Sequence, residues 1–187
     1  IKPVDRFQTA TSLTINPVDS VFSAGSLAAV AAAAIKPPSG KGRSAELAML
    51  LAPVDEDMRA VDALIRRRLA SEVPLINDIG GYSIAAGGKR LRPALLLLIA
   101  RALGAKGELP NLLAVVIEFI HTATLLHDDV VDHSDRRRGR KTANAVWGNA
   151  EAVLSGDFLY SRSFQLMVES DRIAVMRTMA DTTNAIA

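Results

Sequence analysis

The sequence predicts an all-α protein, and three observations carry that prediction. Ala and Leu dominate a chain in which apolar residues make up 49% and aromatic residues only 4%. Val and Ile do not fall in the alternating apolar–polar order of a half-buried strand. Apolar residues recur instead at three- and four-residue spacing, as in Met58, Val61, Leu64, Ile65 and Leu69, which is the period of one helix face. With 187 residues the chain is long enough for one well-buried domain.

Residues 1–44 differ from the rest. They mix Thr, Ser, Pro and Ala and close on KPPSGKGRS, Lys36 to Ser44, which is linker chemistry. They are read as a disordered extension, and residues 45–187 as the helical domain. The Ala-rich run Ser26 to Ile35, with Lys2 and Arg6 upstream, resembles a targeting segment only faintly. The chain begins with Ile, so its start is expected to be missing or processed.

The first helix is placed from Pro53-Val54-Asp55, where Pro and acid suit a first turn, to Leu69. Arg66, Arg67 and Arg68 form its solvated side. A second helix runs from Pro74 through Ile84 to the Gly87-Gly88 turn. Pro93 opens an apolar helix, Ala94 to Leu103, stopped by Gly104. Gly107 to Pro110 turn into a long central helix, Leu109 to His133. Ser134 to Arg140 form a loop, and Thr142 can cap the segment after it. Two further helices are expected near Ala150 to Glu169, loosened at Ser155-Gly156-Asp157, and Asp171 to Ala187. There is no repeat at solenoid periods.

Composition excludes some functions. The formal charge of +2 is too small to imply a polyanion partner. With no Cys, a disulfide framework, thiol nucleophile or thiolate metal site is ruled out. No continuous apolar run reaches the roughly 18–20 residues that span a bilayer, so no transmembrane segment is expected and the location is read as cytoplasmic.

The chemistry concentrates in Ile117 to Lys141. At about 100° per residue, Asp128 and Asp132 share a face, His121 points the same way about 10 Å back along the axis, and Asp129 faces about 100° away. Two carboxylates one turn apart repel unless a cation lies between them, and oxygen-only ligation selects a hard ion such as Mg²⁺. The plainer alternative, a solvated acidic helix end, opposes the macrodipole. Arg136, Arg137 and Arg138 come next; Arg137 and Arg138 could grip phosphate oxygens bidentately, or the cluster could be a solvated surface. A nucleic-acid patch is disfavoured, since no aromatic residue is interleaved and carboxylates stand beside it. Gly87-Gly88-Lys89-Arg90-Leu91-Arg92-Pro93 lacks Walker spacing, but a Gly turn lets amides approach an anion, with Lys89 and Arg92 adding charge. An ordinary solvated turn is the alternative there, as a core histidine is for His121.

GGKRLRP, IHTATLLHDDVVD, RRRGRKTAN and SGDFLYSRSF, in that order, resemble the trans-polyprenyl diphosphate synthases, with the long-chain, octaprenyl-type bacterial members the nearest match. The resemblance covers roughly Pro53 to Ala187. It implies an all-α isoprenoid-synthase bundle that condenses isopentenyl diphosphate with an allylic diphosphate. Asp128 and Asp132 would ligate Mg²⁺ on the allylic diphosphate, with Asp129 supporting, and Arg137 would contact that diphosphate. Lys89, Arg92, His121 and Arg138 would hold isopentenyl diphosphate. The mechanism the resemblance implies is that metal and cations draw off the allylic diphosphate, the double bond attacks the resulting cation, and a proton is lost to the departing diphosphate. A long all-trans product for quinone side chains, octaprenyl within a heptaprenyl-to-decaprenyl range, is expected because Ala123 and Thr124, upstream of Asp128, are both small. Phe119 is read first as core packing and second as a contributor to a tunnel floor. The family suggests a homodimer.

There are departures. Arg136 stands where an apolar or neutral residue is expected. The second aspartate-rich motif, with its lysine and glutamine partners, is missing, and ADTTNAIA, Ala180 to Ala187, looks like a helix stopped midway. The chain is therefore read as an N-terminal fragment, inactive or nearly so alone. A non-catalytic subunit of a heteromeric prenyl synthase is the alternative, disfavoured by the intact first motif and both arginines.

Overall fold

A computed structural model describes residues 42–85 and 90–186. The predicted extension at 1–44 therefore lies almost wholly outside the described residues, as do Gly87, Gly88 and Lys89. The chain divides into two units, Ile1–Glu46 and Leu47–Ala187, and the helices below belong to the second except where α1 begins.

Helix α1 spans Gly42–Leu51 and passes through a short 3₁₀ turn, Ala52–Val54, into α2, Asp55–Leu69. Sequence reading missed α1, because its Gly-Arg-Ser start reads as linker. Three acids, Asp55, Glu56 and Asp57, open α2 and three arginines close it, so both ends complement the macrodipole. Helix α3, Pro74–Ala85, matches the expected segment. Helix α4, Leu91–Ala102, starts earlier than Pro93. The first N–H groups of any helix lack an internal partner, so Pro is tolerated within that turn.

The central helix α5 spans Leu109–Val131, with Asp132 as its C-cap. It stops short of the expected end because His133 adopts a left-handed conformation, φ 51°, which closes a helix. Next comes an unpredicted hairpin, β1 (Arg136–Arg137) and β2 (Arg140–Lys141), paired Arg136↔Lys141 and Arg137↔Arg140. Its tip residues Arg138 and Gly139 have φ 53° and 80°, the signs a two-residue type I′ turn demands. A short helix α6, Ala143–Trp147, is separated by Gly148 from α7, Asn149–Glu169. Helix α8 covers Ile173–Ile186.

Apart from that small hairpin the described chain is helical, as predicted. Helix α5 is the hub: it packs most extensively on α7, then on α4 and α2. Val115, Val116, Phe119, Ala123 and Leu126 of α5 meet Val61 and Ile65 of α2, Leu97 of α4, and Leu159 and Leu166 of α7 in one buried cluster. Phe119, fully buried, is core packing.

One expectation needs correction. Ser155-Gly156-Asp157 does not loosen α7, which runs through it unbroken. Gly156 instead marks a close approach, since a Cβ there would meet the His127 ring of α5. And α5 is, by length and composition, apolar enough to cross a bilayer, although no continuous apolar run in the sequence is. Its interrupting polar residues include the buried Asp129, and its apolar side forms the protein core.

Candidate active site

The C-terminal half of α5, the start of α4, the end of α3 and the hairpin enclose a cavity of about 150 Å³. Arg92, His121, Arg137 and Arg138 all line it, with Asp129, Glu118, Arg90 and Tyr82. Three separate sequence segments thus deliver their basic groups to one place. Lys89 lies outside the described residues.

Arg92, in the first turn of α4, brings Nη1 within 3.0 Å of His121 Nε2 on α5. A guanidinium can only donate, so Nε2 accepts and the imidazole is neutral. The electrostatics agree: His121 is held below the ordinary imidazole value, by burial first, then by Arg92, Arg138 and Arg137, with Asp128 opposing.

The hairpin tip presents Arg138 in a left-handed backbone conformation, which costs a non-glycine residue about 1 kcal/mol. Several contacts fix the hairpin. Tyr82 Oη donates to the Lys141 carbonyl at 2.7 Å, and the Arg140 guanidinium lies 4.6 Å over the Tyr82 ring. At its base, Thr142 Oγ1 donates to the Ser134 carbonyl at 2.6 Å. Thr142 thus precedes α6, as expected of a cap residue, but its hydroxyl makes no capping bond. Asn144 Nδ2 donates to the carbonyls of Asp129 and Ser134. The Arg136 side chain bonds the neighbouring Gly139 carbonyl at 3.3 Å.

The three aspartates separate by environment. Asp129 is buried and accepts from Arg137 at 2.9 Å. Asp128 and Asp132 are exposed, outside the cavity wall, and no ion pair or side-chain hydrogen bond engages either carboxylate among the described residues. That pair fits a hard divalent cation, and Asp129 is already committed. No cluster of three or more His, Asp or Glu forms a closed metal site among the described residues. A cation here would therefore complete its shell with water and ligand oxygens, the Mg²⁺ habit. The two small residues also separate: Ala123 is buried, whereas Thr124 is half-buried, with Oγ1 donating to the His121 carbonyl at 2.8 Å.

Sequence reasoning missed Tyr82, Glu118 and Arg90 as parts of this wall. Glu118 was in principle visible, since it lies one helical turn before His121 on the same stripe of α5.

The family description "Polyprenyl synthetase" matches residues 73–187. The chain belongs to the polyprenyl synthetase family. It is 52% identical over 132 residues to the octaprenyl diphosphate synthase of Escherichia coli K12, covering 71% of this chain and 41% of that one. Among solved structures, a decaprenyl diphosphate synthase from Rhodobacter capsulatus superposes with a TM-score of 0.70 at 53% identity, over 75% of this chain and 43% of that one. A polyprenyl synthase from Caulobacter crescentus, complexed with calcium and isoprenyl diphosphate, superposes with a TM-score of 0.71 at 46% identity, over 73% and 42%. The fold is thus that of the all-α isoprenoid synthases. The chain spans about two-fifths of the length of these polyprenyl synthetase relatives.

Proposed function

We propose that this polyprenyl synthetase chain supplies the isopentenyl diphosphate pocket and the first metal-binding carboxylates of a long-chain trans-prenyltransferase. The observation that carries the reading is the meeting of Arg92, His121, Arg137 and Arg138 around one cavity beside two exposed aspartates. Arg92, Arg138 and Lys89 hold the diphosphate of isopentenyl diphosphate, and neutral His121 adds a hydrogen bond. Asp128 and Asp132 would hold Mg²⁺, which when bound would neutralise charge on the allylic diphosphate. Arg137, braced by Asp129, faces the same leaving group. The allylic C–O bond breaks with its electron pair going to the diphosphate, the isopentenyl double bond attacks the allylic cation, and the new cation loses a proton to the departing diphosphate. Apolar side chains along the open side of α5 keep water from the cation.

The relatives' octaprenyl and decaprenyl products support a product in that range, suited to quinone side chains, and a calcium-bound relative supports a divalent cation. A cytoplasmic homodimer is part of the reading. A non-catalytic subunit would have no use for two free carboxylates beside a basic cavity.

The test follows label from isopentenyl diphosphate onto an allylic primer with Mg²⁺. It compares these 187 residues with the same chain continued through a relative's second aspartate-rich helix. Long-chain product from the continued chain, and little or none from the 187 residues, is expected. No product from either overturns the reading; full activity of the shorter one overturns the half-site argument.

A further inference from the structure

The segment Arg90-Leu91-Arg92 offers two guanidiniums two residues apart, and the structure gives them different tasks. Arg92 turns to His121. Arg90 turns to the helices around it. Its Nη1 donates to Glu118 Oε1 of α5 at 2.8 Å, its Nε pairs with Asp62 Oδ1 of α2 at 3.2 Å, and its Nη2 reaches the Ile84 carbonyl of α3 at 3.5 Å. Each guanidinium nitrogen is thus engaged, and the side chain is only 18% exposed. A guanidinium so committed has little left to offer a phosphate.

Arg90 is also the N-cap of α4, in a left-handed conformation with φ 45°. Its carbonyl accepts the N–H of Ala94 at 3.1 Å, the first bond of that helix. A bulky residue persists there only when its surroundings over-determine it, and contacts with three helices do so. Glu118 and His121 lie one turn apart on α5, and so face Arg90 and Arg92 as two parallel rungs.

We propose that Arg90 is a positioning residue: clamped by Glu118, Asp62 and the Ile84 carbonyl, it fixes the first turn of α4 so that Arg92 meets His121 in the geometry that binds isopentenyl diphosphate. The proposal rests on the pocket assignment above. It predicts that losing Arg90 weakens binding without removing any group that touches the ligand.

Two measurements on the whole chain test it: calorimetric titration with isopentenyl diphosphate, and proton NMR titration of His121 without ligand. In Arg90→Gln the dissociation constant should rise about tenfold or more, since a preorganised contact is lost. His121 should titrate higher than in the parent chain, because Arg92 no longer holds it down; Arg90 itself is not among the charges that depress it. Weakened binding with unchanged His121 titration would mean that Arg90 touches the ligand directly, and would overturn the proposal. Unchanged binding overturns it also. If Arg90→Gln does not fold, by circular dichroism, Arg90→Lys and Glu118→Gln carry the same two readings. A parent chain that does not bind isopentenyl diphosphate overturns the pocket assignment, and the His121 titration then decides the clamp alone.

Discussion

Arg137 directs both Nε and Nη2 onto one oxygen, Oδ1 of Asp129, each at 2.9 Å. The carboxylate is 8% exposed and the guanidinium 38%, so the pair is a buried acid holding a half-solvated base. That asymmetry makes the two single variants unequal. Arg137→Ala strands a buried carboxylate and should cost about 2–3 kcal/mol, somewhat less than a fully buried pair would lose because solvent reaches the arginine side. Asp129→Asn leaves a neutral acceptor beside an arginine that can turn to water, and should cost about 1 kcal/mol. Urea denaturation of the two variants checks the order; an Asp129→Asn loss equal to or larger than that of Arg137→Ala would contradict it.

His121 gives a pH signature with a fixed sign. Its folded-state value lies below the ordinary one of about 6.5. Above that value neither state is protonated and the group contributes nothing to pH dependence. As pH falls below about 6.5, the unfolded chain takes a proton that the folded chain resists, so stability falls until the folded value is passed. His121→Gln should flatten this acid-side slope in denaturant titrations between those two values. A diphosphate in the cavity should act oppositely, raising the His121 value by offsetting Arg92, Arg138 and Arg137. NMR titration with and without isopentenyl diphosphate reads that shift directly; a fall on binding would rule out the proposed placement.

Gly156 of α7 lies against the His127 ring of α5. His127 packs over it, with Nε2 3.2 Å from the Val153 carbonyl and 3.3 Å from Asp157 Oδ1. In Gly156→Ala the new methyl must displace that ring, an overpacking cost of about 1–3 kcal/mol. For a chain of this size each kcal/mol lowers the thermal midpoint by about 2–4 °C. Thermal denaturation by circular dichroism checks it. An unchanged midpoint would show that the partly exposed His127 ring swings aside without cost.

The helical elements were legible because periodicity, Pro and Gly punctuation and end charges agree along most of the chain. Helix α3 and the start of α5 match their expected positions for that reason. The hairpin was illegible for a physical reason too: Arg136 to Lys141 has no apolar alternation, and its turn uses Arg-Gly where Asn-Gly is the usual signal. At the site, spacing alone put Asp128, Asp132 and His121 on one side of α5. It could not show that Asp129 is consumed by Arg137, or that Arg90 and Arg92 diverge, because those facts depend on what packs across from each residue.

The same distinction between spacing and packing bears on product length. From Asp128, Thr124 lies about 40° around the helix and Ala123 about 140°. Ala123 is 1% exposed within the core, whereas Thr124 is half-buried. A bulky ring at 124 can therefore project beside the line that a growing tail would take from Asp128, while one at 123 must first force its way into packed side chains. In the active, continued chain, Thr124→Phe should shorten the product with little loss of stability. Ala123→Phe should lose about 1–3 kcal/mol through overpacking, and should shorten the product only if the core yields toward the tail. Chromatography of the extracted products, beside denaturation of both variants, separates these effects. Product of parental length from Thr124→Phe would remove this face of α5 from the path of the tail.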